Sequence, residues 1–273
     1  THTAGGDLLR TLHRPRHDPP GVISAAGPPG YGGPAFDIAE RKKVFPVFQG
    51  FPQSVVDFMW GIRFNNEKSW FEQHKQEYLA TFQRPMKALC DEVYERFTDR
   101  HPDLDLIAKV SRIYRDARRL FGRGPYKDHL WLSIHQPLEH PGSLPTFWFE
   151  LEPEGYSYGM GFWEAPALTM AKLRARMDRE PKPMEKLARR LNRQEVFALT
   201  GTDYKRPRPA PSKLLEPWYS KKNFVLSHEA AHEELLWGHG LADTLVEGFE
   251  FLLPYYEYIL AVSGDPDPRS PEA

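Results

Sequence analysis

Between Arg112 and Lys127 the chain places five arginines and one lysine against a single aspartate, in a protein whose formal net charge is -1. Cations packed this closely repel one another unless acidic side chains or a bound anion offset them. Arginine is also the side chain suited to planar, bidentate recognition of carboxylate and phosphate. Arg112, Arg115, Arg118, Arg123 and Lys127 are therefore the candidate anion ligands, with Tyr126 beside them. Asp116, His129 and His135 are the nearby groups able to move a proton, and histidine suits that task near neutral pH. The bland alternative is a network of ion pairs that ties a loop down and leaves no anion site.

A second pattern is His228-Glu229-Ala230-Ala231-His232, which matches the H-E-x-x-H arrangement of zinc hydrolases. That chemistry needs a helix, so that histidines one turn apart share a face and the glutamate serves as general base. Glu233 and Glu234 follow directly, and Gly238 stands where a third histidine would be expected in one such class. Ser227 reads better as a helix N-cap and Glu229 as a first-turn acid. Zinc hydrolysis is kept as the least favoured alternative, and no metal ligand is assigned. No G-x-S-x-G, Walker loop or post-strand G-x-G-x-x-G occurs, so no cofactor is expected.

Composition narrows the classes. The apolar fraction of 40% suits a globular fold, and no apolar run approaches the ~18 residues needed to cross a bilayer. With no secretory pattern near the start and one cysteine, Cys90, the expected compartment is cytoplasmic. From Trp163 to Lys222 there are 15 basic and 7 acidic residues, a net of +8. From His228 to Ala273 there are 10 acidic residues and one arginine, a net of -9. Opposed halves and a pI near 6.8 weigh against a nucleic acid partner.

The elements that must position these groups read as α+β. Residues 1–43 are rich in Pro and Gly and poor in apolar side chains, which predicts a flexible tail available to a protein partner. Residues 45–262 read as one domain, and 264–273 as a disordered tail. Helical spacing covers Gln53–Phe64 and Lys68–Arg100, with a kink or break at Pro85. Period-two alternation then marks four successive strands, Lys109–Asp116, Leu130–His135, Phe147–Glu152 and Tyr156–Trp163, hence an antiparallel sheet. Helices return over 167–179, 183–192, 229–237 and 241–262. One sheet face is apolar. The other mixes Trp131, Ser133, His135, Trp148, Glu150, Gly159 and Gly161, a composition that fits a shallow pocket or a close-packed helix.

Two blocks carry a resemblance. Asn65-Asn66-Glu67-Lys68-Ser69-Trp70-Phe71, with Lys75 and Tyr78, is the first. Arg112-Ile113-Tyr114-Arg115-Asp116-Ala117-Arg118, closing with Pro125-Tyr126-Lys127, is the second. Together they resemble the conserved family called domain of unknown function 2461, over about residues 48–262. The resemblance implies no settled activity, but it adds Asn65, Asn66 and Trp70 to the candidate ligand-binding residues. Their plainer reading is a helix cap plus core packing. Family members usually run Arg-Phe-Ser-Lys-Asp-Lys-Thr-Pro-Tyr-Lys, whereas here the loop is Arg118-Arg119-Leu120-Phe121-Gly122-Arg123-Gly124-Pro125-Tyr126-Lys127. Its Ser and Asp are lost while its positive charge is kept, so binding of an anionic small molecule is expected before catalysis. A non-enzymatic interaction module is the alternative.

Overall fold

The computed structural model describes residues 47–120, 122–137, 144–162 and 165–270. The expected N-terminal tail and Trp163 lie outside them. Helix α1 (Ser54–Phe64) buries Val55, Phe58, Met59 and Ile62, the stripe its spacing predicts. Helix α2 (Lys68–Tyr78) runs through a π-type turn, Leu79–Gln83, into α3 (Arg84–Arg100). The expected break at Pro85 is therefore a widened turn directly before it. Proline has no N–H to give the preceding turn, and it is tolerated in the first turn of α3.

Strands β1 (Ile107–Val110), β2 (Leu130–His135), β3 (Thr146–Glu152) and β4 (Gly155–Gly161) form an antiparallel meander. Helices α4 (Ala167–Arg179) and α5 (Pro181–Leu191) follow. Then come β5 (Ala198–Thr200), the short α6 (Glu216–Tyr219), β6 (Val225–Ala230) and the long α7 (Gly240–Ser263). The sheet order is β1-β2-β3-β4-β6-β5, so the sheet has six strands where four were expected. The two additional strands are β5, which pairs with β6, and β6 itself, and the bounds of the first strand also change. The segment read as a helix start is β6, which pairs with β4 from Tyr156↔Ala230 to Gly161↔Val225. A free sheet edge is a strong, non-local partner, and it overrides the weak local helix preference of Glu-Ala-Ala. The first strand also ends at Val110, well short of Asp116, because the chain then leaves the ladder to pair with residues 125–127.

Leu130, Leu132, Ile134, Phe147, Phe149, Leu151, Tyr158, Met160 and Leu226 are buried on one sheet face, against α3 and α7. Phe97 of α3 and Phe249 and Tyr256 of α7 all meet the Phe147 ring. On the opposite face, register sets Trp131, Glu150, Ser157 and Glu229 in one row and Ser133, Trp148, Gly159 and Ser227 in the next. A Cβ at Gly159 would meet the Trp148 ring at 2.8 Å, so the glycine is what allows that indole to lie across β4. Among the described residues no helix is long and apolar enough to cross a membrane.

Candidate functional site: an Asp–His–Glu cluster beside the arginine loop

The arginine-rich segment is a loop folded back on itself. Tyr114 and Tyr126 form an antiparallel bridge, Arg115 N–H donates to Pro125 O (2.8 Å), and Lys127 N–H donates to Ile113 O (2.7 Å). Asn66 clamps its closing arm from α2's side. The carboxamide donates to Tyr126 O and accepts from Tyr126 N–H, both at 2.9 Å. Gly124 lies so close that any Cβ there would overlap the Asn66 side chain. Asn65 donates to Gly61 O at the end of α1, and Trp70 packs on Gly61 and Phe58 and stacks on His74. The two blocks that carry the resemblance thus meet in space as a scaffold. Asn66→Ala is expected to cost about 2 kcal/mol, because the buried Tyr126 amide loses its acceptor. Urea unfolding checks this, and a loss under about 0.5 kcal/mol would count against the clamp.

The predicted ligand residues separate into three environments. Asp116 accepts from Arg118 N–H and pairs with both the Nε (3.0 Å) and the Nη2 (2.8 Å) of its guanidinium, so these two largely satisfy each other. Arg115 is mostly buried, donating its Nε–H to Tyr126 O (2.8 Å) and placing Nη2 3.8 Å from Asp128. Lys127 is also buried, with its ammonium donating to Arg112 O and lying 4.4 Å from the centre of the Trp131 ring. Arg112 and Arg123 are exposed at the loop surface. Tyr126 is buried and stacked on Phe71 at 4.3 Å, which makes its ring a packing element. His135 sits at the far end of β2, its Nδ1 against Gln136 O (2.7 Å), and burial pulls its pKa down.

His129 is placed quite differently. Its Nδ1 is 2.8 Å from Asp128 Oδ1, while its Nε2 is buried, has no hydrogen-bond partner and lies 3.8 Å from Glu150 Oε1. Asp128 also accepts from Arg63, which pairs in turn with Glu154. Burial opposes ionisation of Asp128, but hydrogen bonds from His129 and Arg63 outweigh it and hold the carboxyl far below its usual range. Burial dominates at Glu150, whose pKa is pushed up to about 7, with the charge of His129 only partly offsetting it. Glu152, on the same face, is raised for the same reason. An ionised Asp that orients a His, next to a carboxyl titrating near neutrality, is the arrangement from which acids and bases are made.

The conserved hypothetical protein family DUF2461 matches residues 54–258 of this chain. The chain belongs to DUF2461. No curated protein matches it. The match confirms the resemblance and spans the DUF2461 scaffold from α1 to α7, including the loop, the Asn66 clamp and the His129 cluster. Asp128, Arg63 and Glu152 escaped sequence reasoning. Asp128 could have been suspected, since it stands between the Tyr126-Lys127 motif and a candidate histidine. Arg63 lies 65 positions away with no pattern linking it to Asp128. The histidines of the zinc pattern are set apart by the strand: His228 Nδ1 meets Val196 O (3.0 Å) and His232 Nε2 meets Glu152 O (2.9 Å). The helical premise of that motif fails, and no group of three or more metal-ligating residues occurs among the described residues.

Proposed function

We propose that this DUF2461 chain binds a phosphate- or carboxylate-bearing small molecule beside the arginine loop and transfers a proton to or from it through Asp128, His129 and Glu150. The observation that carries the reading is the His129 ring, oriented by Asp128 at Nδ1 while its buried Nε2 faces Glu150 without a hydrogen bond. A neutral imidazole that donates from Nδ1 leaves Nε2 as a base, and Glu150, pushed up to about 7 by burial, is the acid that faces it. Arg112 and Arg123, exposed at the rim, supply the anion handle, and buried Lys127 adds positive charge within the face.

The test is native mass spectrometry of the full chain against a panel of phosphomonoesters and dicarboxylates, followed by turnover assays on whatever binds. Arg112→Ala with Arg123→Ala should weaken that ligand at least tenfold. His129→Gln should retain binding and abolish turnover. Unchanged affinity in the double variant would remove the anion reading, and full turnover in His129→Gln would remove the proton relay. The closed Arg118–Asp116 pair favours a second reading, an interaction module whose loop cations are neutralised internally. Under that reading the whole panel fails to bind.

A further inference from the structure

Away from the His129 cluster, three cations converge on one ring. The Tyr204 centroid lies 4.5 Å from the Arg208 guanidinium carbon, 5.4 Å from that of Arg174 and 5.6 Å from the Lys222 ammonium. Arg174 is only 7% exposed, and among the described residues its one hydrogen bond is a long contact from Nη1 to Lys221 O (3.3 Å). Among the described residues no carboxylate lies within 4.0 Å of Arg174, Arg208 or Lys222. Of the nearby acids, Asp203 pairs with Lys221 (3.0 Å) and Asp178 accepts from the Tyr219 hydroxyl (2.9 Å). The platform is well braced. Tyr204 N–H donates to Ser220 O, Lys222 N–H to Thr202 O and Thr202 N–H to Asn223 Oδ1, while Arg208 stands between Pro207 and Pro209. Three cations of the basic segment meet here, and the Tyr204 face alone does not neutralise three like charges, one of them buried.

We propose that Arg174, Arg208 and Lys222, arrayed around Tyr204, form a second anion site that takes a phosphate-bearing small molecule. Buried Arg174 forms the floor and supplies fixed N–H donors, while exposed Arg208 and Lys222 close over the anion. The site is independent of the His129 cluster, so either can fail alone. Isothermal titration calorimetry of the full chain with inorganic pyrophosphate at low ionic strength tests it. A saturable component is expected that is weakened at least tenfold in Arg208→Ala with Lys222→Ala; a component that persists in that variant and is lost in Arg112→Ala with Arg123→Ala belongs to the arginine loop instead. Both substituted cluster residues are exposed, so the fold should survive, and circular dichroism verifies that. Absence of saturable binding to the wild-type chain, or equal affinity in the Arg208/Lys222 variant, would overturn the site.

Discussion

Asp128→Ala is expected to destabilise the protein by about 3 kcal/mol at neutral pH, through loss of a mostly buried ion-pair partner. Asp128 is the shared acceptor of Arg63 and His129 and lies 3.8 Å from Arg115, and its own side chain is 13% exposed. Removing it takes a carboxylate from beside the mostly buried Arg115 guanidinium and leaves the His129 ring without its orienting acceptor. The effect should depend on pH in a definite direction. The native Asp128 pKa is depressed, so its contribution is complete above the unfolded-state value and disappears as pH falls through the lower native one. The deficit of the alanine variant should therefore shrink in acid, below about pH 4. Urea unfolding at neutral and acidic pH measures both features. A neutral-pH loss below about 1 kcal/mol would show that the cluster does not depend on this carboxylate.

Glu150→Gln should have the opposite sign. Burial raises the Glu150 pKa from an ordinary 4.5 to about 7, so between those values the native state holds a proton that the unfolded chain has released. Stability of the wild-type protein must then fall as pH rises through that window. The displacement corresponds to about 3.5 kcal/mol as an upper bound, since each pH unit is worth about 1.4 kcal/mol. Glutamine keeps the shape and cannot ionise. The variant should match the wild type near pH 4 and exceed it above pH 7, and carbon NMR of the Glu150 carboxyl should give a titration midpoint near 7. A midpoint below 5 would mean that His129 and Lys127 dominate over burial, and the proposed acid would then be ionised at neutral pH.

These two groups differ in how far each could be read in advance. Glu150 was visible as an ionisable residue on the mixed face of a strand with Phe147, Phe149 and Leu151 on its other face, because period two assigns faces without any tertiary knowledge. His129 was visible as a residue type near the loop. Its pairing with Asp128 on one side and Glu150 on the other was not, because the Trp131↔Glu150 register that brings β2 and β3 together joins residues with no local relationship. Asp116 shows the converse. Its position amid arginines suggested chemistry, yet the two-residue spacing to Arg118 lets it satisfy that guanidinium locally.

The sequence by itself determined the amphipathic helices, the apolar faces of β2, β3 and β4, and the density of positive charge between Arg112 and Lys127. Each is a local or periodic property, and helix α4 matches its expected bounds, Ala167–Arg179, for that reason. Tertiary structure decided the rest. It made the His228 segment a strand, since the open edge of β4 offers a hydrogen-bond ladder that no local propensity encodes. It turned Asn66 into a clamp across 60 residues. It also set apart the paired cations Arg115 and Arg118 from those gathered around Tyr204, which have no carboxylate within 4.0 Å among the described residues. Charge appears in a sequence as a count, but its compensation depends on distances of a few ångströms, and only folding sets those.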